Sequence, residues 1–469
     1  MNKTILDYFN FDSVAINLNN DCNLRCKYCF EEEKRKEYMT ENTLQEILDL
    51  LNLAFNDKNR QYMINIFGGE PTLSLDLIEA YILPFAEKKN IKVGITTNLA
   101  VHNIGYRLKD LMWMYENLNL LVSIDGDRRA HNMNRGNTYD MVVENLKFIR
   151  DELGTVDFAK RVEGRMTICP NNVHFMKNGV KHLIEDLEFH HVYPMLAVDQ
   201  EWDPSELLTY LVASNNLFKY VFELFEGGNN DVFIKNYTNV VYDGLVPHSL
   251  FGDPEMCPIF SNTWCAFDYN GDIYPCHQFP TMRSKEEYKL GNIEEGITNE
   301  KLLNNPPVFG YPYKNCESCK VKSLCSGNCP AENLRKNGSF TRPKSSYCDL
   351  TKMYGESVSY FYSFIANKDF KSLGSDEMKN LYDNITILNL IKDVSDNISF
   401  TDVDVLKEKI KSFSQGIKAM GDESHILPGI NNYITHILAL IASFIKASLD
   451  SYSSNSDLEA YDEDDMEMV

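Results

Sequence analysis

The residues most able to carry chemistry start with Cys22, Cys26 and Cys29, spaced C-x3-C-x2-C in the run DCNLRCKYCF. Thiolates are soft, anionic ligands. Three of them can hold three irons of a [4Fe–4S] cubane and leave the fourth iron open to a small molecule. The spacing alone is also compatible with a zinc site that takes a fourth ligand from elsewhere in the chain. A second group lies downstream: Cys257, Cys265, Cys276, Cys316, Cys319, Cys325, Cys329 and Cys348. It contains C-x13-G-x4-C (Cys257, Gly271, Cys276) and C-x2-C-x5-C-x3-C (Cys316 to Cys329). Two zinc knuckles are the alternative to iron–sulfur ligation here. Cys169 is the remaining cysteine of 12 and suits either an inert core thiol or a contact in the active site.

Between the two groups are four short motifs. FGGEP at 67–71 pairs adjacent glycines, which let backbone approach closely, with Glu70, a carboxylate able to orient an ammonium. It also fits a plain strand-to-helix turn with Pro71 in the first helical position. TTN at 96–98, SIDG at 123–126 and HNMNR at 131–135 follow. The guanidinium of Arg135 can bind a carboxylate bidentately.

These residues need a frame. Strand candidates are SVAINL (13–18), YMINIF (62–67), KVGITT (92–97), NLLVSI (119–124), VEGRMTI (162–168) and HVYPMLAV (191–198). Amphipathic stretches such as 44–55 and 141–153 separate them, and strand–helix alternation implies a parallel α/β sheet. Six units are too few for a closed eight-stranded barrel, so the expectation is a partial (β/α)6 TIM-like barrel. Its chemistry should gather at the C-terminal ends of the strands. The triad would then lie on the first βα loop. Residues 257–348 are turn-rich with little apolar periodicity, so metal is expected to supply much of their stability. Residues 353–450 read as helices, with Ile430, Ile434, Ile437, Leu438, Ile441 and Ile445 at helical spacing. The end, SDLEAYDEDDMEMV, reads as a solvated acidic tail.

Acidic residues outnumber basic ones, 68 to 46, for a formal net charge of −22. With no basic run to bind phosphates, nucleic acid is not an expected partner. Nor is a membrane: no run of 18 apolar residues occurs, and the longest candidate, 433–445, contains His436. The first strand-like run begins at residue 13, which leaves no room for a signal peptide before it. A cytoplasmic location is therefore expected, where grouped cysteines more often bind metal than form disulfides.

The triad, with Tyr28 before its last cysteine, and the ordered motifs FGGEP, SIDG and HNMNR are similar to the signature of radical S-adenosylmethionine (SAM) enzymes. The resemblance covers about residues 13–200. It implies that SAM chelates the open iron of a [4Fe–4S] cluster, and that one electron splits it to a 5′-deoxyadenosyl radical which takes hydrogen from a substrate. It further implies SAM contacts from Tyr28, Gly68, Gly69, Glu70, Ser123, Arg135 and Leu196, Glu70 toward the amino group and Arg135 toward the carboxylate. An electron donor such as flavodoxin or ferredoxin is an implied partner.

The downstream cysteines resemble the SPASM domain, an extension with two auxiliary [4Fe–4S] clusters. The family pattern implies Cys257, Cys265, Cys276 and Cys329 for one cluster, and Cys316, Cys319, Cys325 and Cys348 for the other. With the cluster held by Cys22, Cys26 and Cys29, three would be present. The expected division is a radical SAM core at 1–240, a SPASM domain at 241–352 and a helical extension with a disordered acidic tail at 353–469. SPASM-type enzymes mostly modify peptides or proteins. GDIYPCHQF and YKLGNI look most like maturases that build thioether bridges in ribosomal peptides. Anaerobic sulfatase-maturing enzymes are the alternative, but they carry an Asp base where this chain has His277. A histidine can accept a proton near neutral pH, and it can equally be a hydrogen-bonded neighbour of the cluster. A non-catalytic iron–sulfur electron carrier is the third reading.

Overall fold

The computed structural model describes residues 4–31, 34–229, 231–242, 257, 259–307, 316, 319, 321, 325 and 327–368. The chain divides into two compact units, 1–413 and 414–469, and every described residue belongs to the first. The apolar helix around Ile430–Ile445 and the acidic tail lie outside the described residues.

All six expected strands form: β1 (Ser13–Asn17), β2 (Met63–Phe67), β3 (Lys92–Thr97), β4 (Leu118–Ser123), β5 (Val162–Ile168) and β6 (His191–Leu196). Each pairs in parallel with the next. A further strand, β7 (Phe233–Ile234), extends the parallel run beside β6. Two residues are too short to leave a readable period, which is why it escapes sequence reading.

The other edge of β1 pairs in parallel with β8 (Trp264–Phe267). β9 (Asp272–Tyr274), β10 (Gly291–Asn292) and β11 (Gly296–Ile297) follow in antiparallel order. Part of the cysteine-rich segment therefore continues the barrel sheet, in the order β11-β10-β9-β8-β1-β2-β3-β4-β5-β6-β7.

Alternate strand residues face opposite sides. Val122, Met166 and Val192 are fully buried beneath the helices, whereas Ser123, Arg165 and Tyr193 point the other way and are only partly buried. The helices are well capped. Thr40 accepts the Thr43 N–H to start Glu41–Ala54, which buries Leu44, Ile47, Leu48 and Leu51. Asp203 and Glu206 form a capping box at the start of Pro204–Glu226. Ser345–Lys368 packs on that helix, with Phe361 stacked on Phe218 at 5.1 Å between ring centroids.

The cysteine-rich segment has an apolar core of its own: Ile259, Phe260, Tyr274, Phe279, Met282, Ala331, Leu334 and Phe340 are buried together. These residues come from one three-residue strand, one eight-residue helix and the loops around them, pieces too short for a helical or strand period to announce them. Metal is thus not needed as the sole source of stability there.

Candidate active site

The triad leaves the C-terminal end of β1, and the FGGEP motif fixes its course. Gly69 N–H donates to Asn19 O at 3.0 Å, and Glu70 N–H donates to Asp21 O at 2.8 Å. A Cβ on Gly69 would fall 2.2 Å from Asp21 O, and one on Gly68, at φ 141°, would fall 2.6 Å from Asn19 O. The glycines are thus required by the approach of two protein backbones. We expect Gly69→Ala to displace the Cys22 loop. Iron at the triad and 5′-deoxyadenosine formation should fall at least tenfold, because a contact this short cannot relax without moving backbone. Anaerobic iron analysis and product chromatography would check this, and a variant with full activity would contradict it.

Glu70 is almost fully buried and well satisfied. Its Oε1 accepts from Thr72 N–H at 3.0 Å, Thr72 Oγ1 at 2.5 Å and Thr97 Oγ1 at 2.7 Å. Its Oε2 accepts from Asn98 N–H at 2.7 Å and retains capacity for another donor. Glu70 thereby ties FGGEP to the TTN motif. Asn98 in turn points Nδ2 at Cys22 Sγ, 3.8 Å away, and Leu24 N–H points at the same sulfur at 3.4 Å.

The three thiols lie within electrostatic reach of one cation, Lys34. Burial pushes Cys22 up to about 11 and also raises Cys29, while the Lys34 ammonium lowers both. Burial works against Lys34 itself, yet Cys29, Cys22, Glu31 and Cys26 raise it overall. Buried thiols grouped in this way become stable thiolates when further positive charge joins them, which suits an iron–sulfur cluster. Lys34 follows the last cysteine of the motif by five residues on the same loop, and no spacing rule identifies it.

Opposite the triad, Tyr28 Oη donates to Asp125 Oδ2 at 2.5 Å. Arg135 Nε lies 3.1 Å from the same oxygen, and its guanidinium sits 5.3 Å from the Tyr28 ring centroid. Arg135 Nη1 is 4.0 Å from Cys26 Sγ. Burial disfavours the Arg135 charge, but Asp125, Tyr28 and Cys26 raise its pKa overall. Asp125 also accepts Thr167 N–H at 3.0 Å. It is the hub that sequence reading missed, although it stands inside the SIDG motif. Ser123 ends β4 beside Arg165, and buried Leu196 ends β6.

The downstream cysteines separate into two groups. Cys257, Cys276 and Cys329 pack on the apolar core of their segment. Burial and then Cys329 raise the Cys276 thiol, with Cys257 adding to the effect. Cys325 is raised by burial and by Cys319, and Cys348 by burial, Cys325, Asp349 and Cys316. Cys265 is different. It is fully buried in β8, and burial alone raises its thiol. Among the described residues no group of three or more His, Cys, Asp or Glu side chains converges tightly enough for a single metal ion. Cubane thiolates sit on separate irons and stand farther apart than ligands sharing one ion. None of the 12 cysteines is in a disulfide. Cys169 is buried, within electrostatic reach of Asp125, Asp199, Arg135 and Cys26.

His277 reaches across to the barrel. Its ring stacks on Phe67 of β2 at 4.1 Å, and its carbonyl accepts from Asn17 Nδ2 at 3.5 Å. Its Nδ1 is 3.5 Å from Cys276 Sγ. Burial, with Arg165 and Arg335, lowers its pKa to about 4, so the imidazole is neutral at pH 7. A small cleft lined by Asn17, Phe30, Glu31, Phe67, His277 and Thr281 joins the triad loop to the cysteine-rich segment.

Known proteins share this fold. The chain is 24 % identical over 362 residues to a cysteine-type anaerobic sulfatase-maturating enzyme of Clostridium novyi, covering 72 % of this chain and 92 % of that one. Its fold matches native anSMEcpe with bound AdoMet at TM-score 0.58 and 21 % identity, covering 76 % of this chain and 99 % of that chain. It also matches Streptococcus suis SuiB bound to precursor peptide SuiA at TM-score 0.51 and 20 % identity, covering 73 % and 77 %. No helix among the described residues is long and apolar enough to cross a membrane. Residues 16–160 match the model of the radical SAM superfamily, so the chain carries a radical SAM domain.

Proposed function

We propose that this enzyme modifies a ribosomally made peptide by radical chemistry, forming a thioether or similar cross-link. The observation that carries the reading is the contact of His277 and Thr281, from the cysteine-rich segment, with the cleft beside the triad loop. That cleft holds little more than a water, but it marks where the two cysteine-rich regions meet, so a substrate bound over it meets both. The likeness to SuiB, which is bound to a precursor peptide, supports a peptide occupant.

The residues fit the following roles. Cys22, Cys26 and Cys29 hold the SAM-binding cluster, and Tyr28, Gly68, Gly69, Glu70, Ser123, Arg135 and Leu196 form the SAM site. Cys257, Cys276 and Cys329, with Cys265 as fourth ligand, hold one auxiliary cluster; Cys316, Cys319, Cys325 and Cys348 hold the other. The core then spans residues 1–240 and the auxiliary domain 241–352. Flavodoxin or ferredoxin donates the electron. When bound, the first cluster supplies one electron that splits SAM and yields the radical that removes substrate hydrogen. Asp125 keeps Arg135 charged and aimed, Glu70 orients the TTN loop, and neutral His277 can accept the proton lost as the new bond forms, while the one electron left over would pass to an auxiliary cluster held by the downstream cysteines.

Sulfatase maturation is the second reading, favoured by the relation to the Clostridium novyi enzyme. Anaerobic coexpression with a small cysteine-rich open reading frame beside the gene tests the first. The expected product is lighter by two hydrogens and has one fewer alkylatable thiol. An unchanged peptide in the presence of active SAM cleavage would reject it, and formylglycine in a sulfatase peptide would establish the alternative.

A further inference from the structure

Adjacent strands align a row of side chains across the open face of the barrel. Ser123 of β4 is in register with Arg165 of β5, and Arg165 with Tyr193 of β6. Lys235 directly follows β7, and its N–H donates to Val192 O at 3.0 Å, which brings it beside Tyr193. Its Nζ is 5.8 Å from the Tyr193 ring centroid. Arg165 and Lys235 are close enough that burial and then Arg165 lower the Lys235 pKa. Arg165 is also within electrostatic reach of His277 and of Arg135.

Neither cation has an ion pair or a side-chain hydrogen bond among the described residues. The nearby carboxylates are engaged. Asp125 serves Arg135 and Tyr28. Glu163 serves His191 at 3.4 Å and the Tyr193 hydroxyl. Two partly buried cations that flank Tyr193 repel each other and lose hydration, and an anion that bridges them removes both penalties. The paired geometry of guanidinium and ammonium suits a carboxylate.

We propose that Arg165 and Lys235 bind a carboxylate of the substrate, an Asp or Glu side chain or the chain's C-terminal group, next to the residue that loses hydrogen. This rests on the peptide reading above. It gives the pair the task of setting which residue of the peptide faces the radical. The SAM carboxylate has the same chemistry, so the test separates the two sources.

The test uses the SAM-loaded holoenzyme under anaerobic conditions and calorimetric titration of N-acetylated, C-amidated Gly-Cys-Gly-Glu-Gly, its Gln counterpart, and N-acetyl-Gly-Cys-Gly-Gly with a free C-terminus. At least one acidic peptide should bind about tenfold tighter than the Gln peptide, as expected when a charge-assisted contact is lost. Arg165→Met with Lys235→Met should abolish that preference and leave SAM affinity within about twofold, because SAM has its own arginine. Arg165→Lys with Lys235→Arg should retain the preference, which separates a charge role from a folding role. Equal binding of all three peptides to the native enzyme overturns the proposal. So does a preference that survives in the Met variant. A tenfold loss of SAM affinity in that variant assigns the pair to SAM and overturns it too. Should no peptide bind, N-acetylglutamate and N-acetylglutamine replace them. A preference for the acid that depends on both cations upholds the pair while rejecting the peptide reading, and its absence overturns the pair.

Discussion

Replacing Cys22, Cys26 and Cys29 together by alanine will abolish 5′-deoxyadenosine formation while leaving roughly two thirds of the iron bound, as expected for one of three similar cubanes. The reason is the separation seen in the structure. The triad is held by the β1 loop and by Gly68–Glu70, whereas Cys257, Cys276 and Cys329 pack on a distinct apolar cluster. Loss of one site therefore need not unfold the other. The complementary change, Cys316→Ala with Cys348→Ala, should keep SAM cleavage and reduce iron by roughly one third. Cys265→Ala asks a narrower question. If Cys265 is a ligand, the first auxiliary site loses iron. If burial alone defines it, the cost is packing and the iron is unchanged. Near-complete loss of iron from the triad variant would refute independent sites, and zinc in place of iron would refute the cofactor assignment.

Asp125→Ala should raise the SAM dissociation constant at least tenfold and lower the thermal midpoint. Asp125 is fully buried and Arg135 nearly so. Removing the carboxylate leaves an uncompensated buried guanidinium, which costs about 3–5 kcal/mol. Tyr28 loses its acceptor in the same step, and Thr167 N–H loses another. Asp125→Asn keeps the volume and can still accept from Thr167, so it should fall between the two. Equilibrium dialysis with labelled SAM and a thermal melt measure both effects. Unchanged SAM affinity in the alanine variant would show that Arg135 is aimed by something other than this ion pair.

Much of the barrel was readable because its strands carry strong local signals. Runs such as VEGRMTI and KVGITT are β-branched and bounded by polar turns, and they form strands with the expected limits. The motif cysteines were equally visible, since ligand spacing is a local property. What could not be read depends on contacts between distant segments. Asp125 looks like any strand-end carboxylate until Tyr28 and Arg135 fold onto it. Lys34 gains its meaning only when the fold brings it within electrostatic reach of three sulfurs. The glycines of FGGEP were expected to admit a ligand, and the structure shows them admitting the backbone of Asn19–Asp21. The apolar core under the downstream cysteines was missed because its members come from a short strand, a short helix and loops separated by up to about eighty residues, where periodicity has little to act on.

The parallel pairing of β8 with β1 has a consequence for how the protein can be divided. A chain cut near residue 240 would keep every SAM-cleavage motif, yet it would strip one flank of β1 along Ser13–Ile16. Bare N–H and C=O groups on a flat apolar strand invite edge-to-edge pairing with another molecule. Such a fragment should accumulate as aggregate rather than as a smaller working enzyme. Gene fusions or deletions that part the two halves would therefore fail first in solubility, before any question of catalysis arises.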